Sequence, residues 1–176
     1  MRLFTAVDLP RELVEKLSAF LARLRPLAKL RWTEVENLHI TTKFIGEWPE
    51  ARLDEMKNAL RGVKYSEPIR ISVRGVGWFP DLNRPHVFWA GVHGGEPLSN
   101  LAKRTEEAVT TRGVPLETRV YSPHLTLARV RYAVPLEALL QSAGDPDFGA
   151  FEAASFFLYL SANGKYSKLA EFPLNP

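Results

Sequence analysis

The sequence predicts an α+β fold in which two largely antiparallel sheets face a central cleft, with the helices outside. The main observation is that a His-x-Thr-x tetrapeptide occurs twice, at His39–Thr42 and at His124–Leu127, 85 positions apart. The motifs therefore lie in opposite halves, which favours two lobes in a pseudo-two-fold arrangement. In addition, several predicted strand pairs are joined too tightly for parallel crossovers. We expect residues 1–176 to form a single bilobal domain with one motif in each lobe.

The first half of the chain alternates between strand and helix patterns. Its predicted elements are a strand over residues 2–8, a helix that reaches Pro26, an extended piece around 30–32, a motif strand over 37–45 and a helix from Pro49 to about Gly62. Asp8 is a suitable cap for the first helix. Pro10 fits its first turn, because the missing N–H needs no partner there. Apolar residues recur at helical spacing along both predicted helices, which indicates one buried face on each.

The second half adds a hairpin, two helices and a closing hairpin. Its predicted elements are a strand from 69 towards 79, a turn over 80–85, a strand over 87–92, a helix from Pro97 to Thr111, a motif strand over 122–130, a helix from Pro135 to Gln141, a loop over 144–149, and strands over 156–161 and 166–172. Asn163-Gly164 is a strong turn pair between the last two strands. No glycine-rich phosphate motif occurs, so the sequence does not support ATP or dinucleotide binding.

Composition excludes several classes of protein. The chain has no cysteine, which rules out disulfides, thiol nucleophiles and zinc–thiolate sites. No apolar run approaches the roughly 20 residues that span a bilayer, and residues 1–8 have the pattern of a strand rather than of a signal peptide. We therefore expect a cytoplasmic location. The net charge of +3 suits a polyanionic partner such as RNA, and it equally suits an ordinary solvated surface.

Each motif places an imidazole beside a hydroxyl. In a strand, side chains two positions apart share a face and lie roughly 6–7 Å apart, so His39 and Thr41 form one pair and His124 and Thr126 form another. Two imidazoles in one cleft suit general acid and general base catalysis near neutral pH. The hydroxyls can bind the oxygens of a phosphate. A single His-x-Thr is common in structural strands, whereas two matching copies favour phosphodiester hydrolysis without a metal.

A metal site is the main alternative chemistry. The other two histidines, His86 and His93, lie seven positions apart, so a regular strand points them in opposite directions. Neither has a carboxylate at the usual ligand spacing, and no His-Glu-x-x-His sequence occurs. We expect these two histidines to be exposed near strand ends, and we expect neither a metal nor another cofactor.

The two motif blocks resemble the 2H phosphoesterase superfamily. The segments Glu36–Glu47 and Pro123–Arg129 are similar to the motif blocks of its RNA 2′,3′-cyclic phosphodiesterases, once named 2′-5′ RNA ligases. The resemblance covers the whole chain and includes the opening Arg2–Val7 and a closing segment with Ser161, Gly164 and Tyr166, but only the pair of motif blocks is specific. The resemblance implies a bilobal α+β fold that carries one motif strand per lobe.

The resemblance also implies a reaction and residue roles. The reaction is metal-independent hydrolysis of a 2′,3′-cyclic phosphate to a 2′-phosphomonoester, with RNA ends or nucleotides as partners and a monomer as the working form. His39 would donate a proton to the departing 3′ oxygen, and His124 would accept one from water. Thr41 and Thr126 would hold the phosphate.

Further residues near the motifs are candidates of a second kind. Arg129 is a phosphate-binding candidate, although regular alternation points it away from His124 unless a bulge intervenes. Lys43 shares parity with His39 and is a candidate for the cleft floor or rim. Thr42 stands where members of the family often carry leucine, and we expect it at an outward or second-face position with little effect on the cleft. Candidates for base stacking, with core packing as the alternative, are Trp32, Phe44 and Tyr121.

Other functions remain open from the residues alone. The same cleft suits a phosphodiesterase for small cyclic nucleotides or ADP-ribose derivatives, which differs only in substrate. A non-catalytic RNA-binding or nucleotide-binding module would retain the cleft without turnover. Joining of RNA ends through a 2′-5′ bond would be the reverse of hydrolysis.

Overall fold

The computed structural model describes residues 1–65, 67–131 and 136–174, which form two antiparallel sheets and four α-helices. The strands are β1 (Arg2–Val7), β2 (Arg31–Trp32), β3 (Ile40–Glu47), β4 (Ile69–Phe79), β5 (Val87–His93), β6 (His124–Arg129), β7 (Asp147–Ala153), β8 (Ser155–Ala162) and β9 (Lys165–Pro173). The helices are α1 (Arg11–Leu24), α2 (Leu53–Arg61), α3 (Gly95–Thr110) and α4 (Leu136–Ala143).

The strand order gives each motif its own sheet. The first sheet has the order β3-β1-β8-β9 and contains the first motif, whereas the second has the order β2-β6-β5-β4-β7 and contains the second motif. All pairings between these strands are antiparallel. The predicted α+β class with two antiparallel sheets is therefore confirmed.

The helices bury the apolar faces that the sequence pattern predicted. In α1, Leu13, Leu17, Phe20, Leu21 and Leu24 are all buried. Helix α3 contacts β3 of the first sheet and β4 of the second, so it packs against both. Within the described ranges, no helix combines the length and the apolar character that a membrane crossing needs.

Two local predictions are wrong in detail. Asp8 does not cap α1, because Pro10 is the N-cap residue and its carbonyl accepts from the N–H groups of Leu13 and Val14. The predicted loop at 144–149 extends only to Pro146, since β7 begins at Asp147 and pairs with β4. The weak alternation of this glycine-containing strand concealed it. The predicted helix start at Pro135 lies outside the described residues.

A β-bulge follows the threonine of each motif. In the first sheet Ala6 faces Thr41 and Thr5 faces Lys43, so Thr42 is an extra residue in β3. In the second sheet Trp89 faces Thr126 and Phe88 faces Ala128, which makes Leu127 an extra residue in β6. Because a bulge adds one residue to the strand, every later side chain points to the face opposite to the one that regular alternation predicts. Predictions from regular alternation therefore fail beyond each threonine.

The first bulge turns Lys43 away from the cleft. Its side chain is only 7% exposed, and its Nζ lies 2.6 Å from a carboxylate oxygen of Glu106 on α3 and 3.2 Å from the carbonyl oxygen of Pro115. Burial favours the neutral Glu106, but the bond from Lys43 holds the pKa of this carboxyl below its usual range. Lys43 therefore ties β3 to α3, and its predicted place in the cleft is wrong.

Thr42 is buried against β1, on the second face of the strand, which is one of the two placements expected from the sequence; the outward placement is wrong. Its hydroxyl lies 2.7 Å from that of Thr5 on the neighbouring strand, so the two side chains bond to each other inside the protein.

We predict that Lys43→Met destabilises the protein by about 2 kcal/mol, because it removes the cationic partner of the half-buried Glu106 carboxylate, which then keeps only the backbone N–H of Glu117. Urea unfolding measures the change, and Lys103→Met on the exposed side of α3 is the matched control. Turnover of a substrate by the folded variant should stay within about twofold. A large loss of turnover with normal stability would mean that Lys43 belongs to the site.

Candidate active site

His39 lies immediately before β3 and is held by its own backbone. Its Nδ1 is 2.7 Å from the carbonyl oxygen of Asn37, and its Nε2 is 3.0 Å from the hydroxyl oxygen of Thr41. A carbonyl only accepts hydrogen bonds, so Nδ1 carries a hydrogen. In the neutral ring Nε2 is then an acceptor, and the Thr41 hydroxyl donates to it.

His124 has the same local geometry in the other sheet. Its Nδ1 is 2.8 Å from the carbonyl oxygen of Ser122, again two residues earlier. The neutral ring therefore also carries its hydrogen on Nδ1 and its lone pair on Nε2. Among the described residues, Nε2 of His124 has no hydrogen-bond partner. The two motifs thus fix both imidazoles in the same tautomer.

The structure brings the two motifs together. Tyr121 precedes β6, and its hydroxyl donates to the carbonyl oxygen of Thr41 at 3.0 Å. The side chains of His39 and His124 are close enough that the charge of His124 lowers the pKa of His39. The two imidazoles therefore lie near each other.

Burial controls the titration of both histidines. Burial lowers the pKa of His39 below its ordinary value, and the charge of His124 lowers it further. The hydrogen bond to Asn37 and the charge of Asp8 raise this pKa, but they do not cancel the effect of burial. Burial also lowers the pKa of His124, against the bond to Ser122, while the charge of Arg129 lowers it further. Both rings are therefore biased towards the neutral form in the free protein.

Thr126 and Arg129 are on the same face of β6 as His124. Gly91 faces His124 and Trp89 faces Thr126, on the side of β5 opposite to the buried Phe88 and Ala90. The half-buried Thr126 makes no hydrogen bond to another described residue. Its hydroxyl is therefore free to donate to a ligand in the cleft.

The bulge at Leu127 brings Arg129 back to this face. Ala128 faces the core residue Phe88, so the next residue, Arg129, points in the same direction as Thr126. Its effect on the pKa of His124 agrees with this placement. Regular alternation predicts an outward Arg129, and the bulge is the physical reason for the difference.

Aromatic rings surround both histidines, and sequence reasoning missed most of them. The ring of Phe4 is 4.7 Å from that of His39, and Tyr166 meets the same imidazole edge-on at 5.1 Å. Phe79 meets His124 edge-on at 4.9 Å. Phe4 belongs to a small apolar cluster with Ala6 and Tyr159. The signal for Phe4 is that β1 has apolar residues on both faces, and the signal for Tyr166 is its place in the closing segment that resembles the family.

Asp8 has a role near His39 instead of capping a helix. Its carboxylate accepts from the Tyr159 hydroxyl and forms an ion pair with Lys168. Burial raises the pKa of Tyr159, and the bond to Asp8 raises it further. The carboxylate raises the pKa of His39 through space. Asp8 and His39 are far from Tyr159 and Lys168 in the sequence, so spacing gives no sign of the arrangement.

The base-stacking candidates have different environments. The indole Nε1 of Trp32 donates to the carbonyl of Ala28 at 3.1 Å, and its ring packs edge-on against Phe88, so Trp32 belongs to the core. Tyr121 is held by its bond to Thr41. Phe44 is 56% exposed and lies 6.0 Å from the ring of Phe4, on the face that carries His39. Of these three candidates, only Phe44 therefore has an exposed ring on which a base could stack.

His86 and His93 are exposed, as the sequence predicts. His86 lies just before β5, and His93 is its last residue. Across residues 1–65, 67–131 and 136–174, no three His, Cys, Asp or Glu side chains gather as a metal site would require.

Comparison with known proteins identifies the family. A family model described as LigT like Phosphoesterase matches residues 7–89. The RNA 2′,3′-cyclic phosphodiesterase of Methanocaldococcus jannaschii is 35% identical over 164 residues, which cover 92% of this chain and 91% of that relative. A protein of the same name from Archaeoglobus fulgidus is 35% identical over 159 residues, which cover 90% of this chain and 89% of that relative.

Solved structures share the fold. A crystal structure from Thermus thermophilus is 30% identical with a TM-score of 0.78, and the match covers 99% of this chain and 98% of that one. The E. coli LigT complex with 3′-AMP matches with a TM-score of 0.79 at 24% identity, and the match again covers 99% of this chain and 98% of that one. The fold and the paired motifs define a phosphoesterase of the 2H type. The chain belongs to the LigT-like phosphoesterase family, with the RNA 2′,3′-cyclic phosphodiesterases among its relatives.

We predict that Tyr121→Phe destabilises the protein by about 1 kcal/mol, because it removes the hydrogen bond that joins the two motifs. Urea unfolding measures the loss. Tyr166→Phe is the matched control, since the Tyr166 hydroxyl has no hydrogen bond within the described residues. Equal stability of Tyr121→Phe and the wild type would show that the bond to Thr41 does not hold the motifs together.

Proposed function

We propose that this protein hydrolyses the 2′,3′-cyclic phosphate at RNA ends to a 2′-phosphomonoester, without a metal, using His39 as acid and His124 as base. The observation that carries this proposal is the pair of imidazoles that lie near each other and share a tautomer, each followed by a threonine two positions later. The name of the relatives supports the substrate class.

The base step uses the lone pair on Nε2 of His124. This atom takes a proton from a water molecule as the water oxygen attacks phosphorus. The carbonyl of Ser122 stabilises the imidazolium that forms, because it continues to accept from Nδ1. Arg129 lowers the pKa of the ring, which keeps it neutral before the step.

The acid step breaks the bond between phosphorus and the 3′ oxygen. The Nε2–H of protonated His39 gives its proton to that oxygen as it leaves, while the 2′ oxygen stays on phosphorus. The negative charge of the bound phosphodiester favours the protonated ring, which offsets the effect of burial. Asp8 acts in the same direction from behind the site.

The hydroxyls of Thr41 and Thr126 bind the non-bridging oxygens, where negative charge grows as water adds. Thr41 donates to His39 in the free protein, and protonation of that ring frees its hydrogen for the phosphate. Arg129 adds a positive charge on the same face. No step in this scheme requires a cation other than these side chains.

We predict that His39→Ala and His124→Ala each lower kcat at least about 100-fold, since general acid and base catalysis contributes about 10²–10⁴-fold. The assay uses a short RNA with a 2′,3′-cyclic phosphate end in the presence of EDTA, and mass and phosphatase tests identify the product. His86→Ala, which changes an exposed histidine outside the cleft, is the matched control.

The outcomes of this assay separate the alternatives. A 2′-phosphate product that requires both histidines agrees with the proposal. A 3′-phosphate product would mean that the 2′ oxygen, not the 3′ oxygen, leaves phosphorus. Inhibition by EDTA would contradict metal independence. Tight binding of the RNA without any product would favour a binding module.

We predict that kcat/KM is highest below pH 6.5, because both histidine pKa values lie below this ordinary value. As pH rises, His39 loses the proton that it donates; as pH falls, His124 gains a proton and stops accepting.

Arg129→Ala should move the acidic limb of this pH profile to higher pH, because it removes a charge that lowers the pKa of His124. Arg129→Lys keeps the charge and should leave that limb in place. An unchanged limb in Arg129→Ala would contradict the electrostatic role of Arg129.

A further inference from the structure

A second arginine lies beside Arg129 on the cleft face. Strand β2 pairs with β6 so that Arg31 faces Arg129 directly and Trp32 faces Ala128. Residues that face each other in an antiparallel pair point to the same side of the sheet. Trp32 and Ala128 pack on the core side, so Arg31 and Arg129 both point to the side of Thr126.

The two arginines are placed against ordinary pairing preferences. Like charges directly opposite each other destabilise a sheet, and both residues are exposed. Among the described residues, neither arginine forms an ion pair or a hydrogen bond through its side chain. The nearby Glu34 lies 3.6 Å from the guanidinium of Arg25 instead. A bound anion would offset the repulsion, and guanidinium groups match the geometry of phosphate oxygens.

Position separates the role of Arg31 from that of Arg129. Arg129 is on β6 with His124 and Thr126, and its charge reaches His124. Arg31 is one strand further, on the edge strand β2, from which the chain continues through the turn Val35–Asn37 to His39. Neighbouring strands are about 4.8 Å apart. Arg31 therefore adds positive charge next to the reacting phosphate rather than on it.

RNA is the substrate class that supplies a second anion there. A nucleoside 2′,3′-cyclic phosphate carries only the reacting phosphate, whereas each further nucleotide adds one charged phosphodiester. We propose that Arg31 binds the backbone phosphate preceding the terminal nucleotide and so gives the enzyme a preference for RNA ends over mononucleotides. This inference rests on the proposed function and assigns Arg31 to specificity, not to chemistry.

The test compares two substrates that differ by one phosphodiester. One is a dinucleotide with a hydroxyl at its 5′ end and a 2′,3′-cyclic phosphate at its 3′ end, and the other is the matching mononucleoside 2′,3′-cyclic phosphate. Arg31→Ala should lower kcat/KM for the dinucleotide about tenfold through KM. It should leave the mononucleoside within about twofold. Arg61→Ala, on α2, makes the same charge change away from the cleft and should affect neither.

A binding measurement gives a readout without turnover. Titration calorimetry of the wild type and Arg31→Ala uses the two reaction products, the dinucleotide 2′-phosphate and the nucleoside 2′-phosphate. Only the dinucleotide should bind the variant more weakly, and its affinity for the variant should depend less steeply on salt concentration than its affinity for the wild type.

Failure of the inference differs from failure of the proposed function. An equal loss for both ligands, or no loss for either, would overturn the role of Arg31 while wild-type turnover still supports hydrolysis. Absence of wild-type turnover on both substrates would overturn the proposed function. In that case the calorimetric titration with the two products still decides whether Arg31 binds a second phosphate.

Discussion

Each catalytic candidate is fixed by a hydrogen bond from its Nδ1 to the backbone carbonyl two residues earlier. The distances, 2.7 Å for His39 and 2.8 Å for His124, are nearly equal, although the motifs lie in different sheets. This bond decides which ring nitrogen holds the hydrogen, and it directs Nε2 away from the backbone. An acid and a base with opposite roles can thus be built from the same local structure, and their different surroundings determine their titration.

Local pattern predicts this part of the site well. The alternation of His39 with Thr41, and of His124 with Thr126, spans only two positions before the bulges begin, so the regular strand pattern applies to it. It fails at the next residue, where an extra residue in β3 and in β6 reverses the side on which later side chains lie. For this reason Lys43 was wrongly expected in the cleft, and the position of Arg129 depended on a bulge.

The surroundings of the histidines depend on contacts that sequence spacing cannot reveal. Asp8 and Tyr159 are 151 positions apart and become partners because β1 and β8 pair in the first sheet. Tyr121 reaches Thr41 over 80 positions. The strand pattern predicted most strands and the antiparallel class, but β7 was too irregular to be recognised. Which strand lies beside which is a property of the folded chain, and the residues that tune each pKa follow from it.

The most direct test of this account is the tautomer of the two imidazoles. Long-range ¹H–¹⁵N NMR spectra of the ¹⁵N-labelled protein at a pH where the rings are neutral distinguish the two nitrogens, and His39→Gln and His124→Gln assign the signals. Both rings should carry their hydrogen on Nδ1, with an unprotonated Nε2 that accepts from Thr41 in His39 and has no partner among the described residues in His124. A hydrogen on Nε2 of either neutral ring would contradict this, because that ring could not donate to its backbone carbonyl, and His124 in that form could not accept a proton from water.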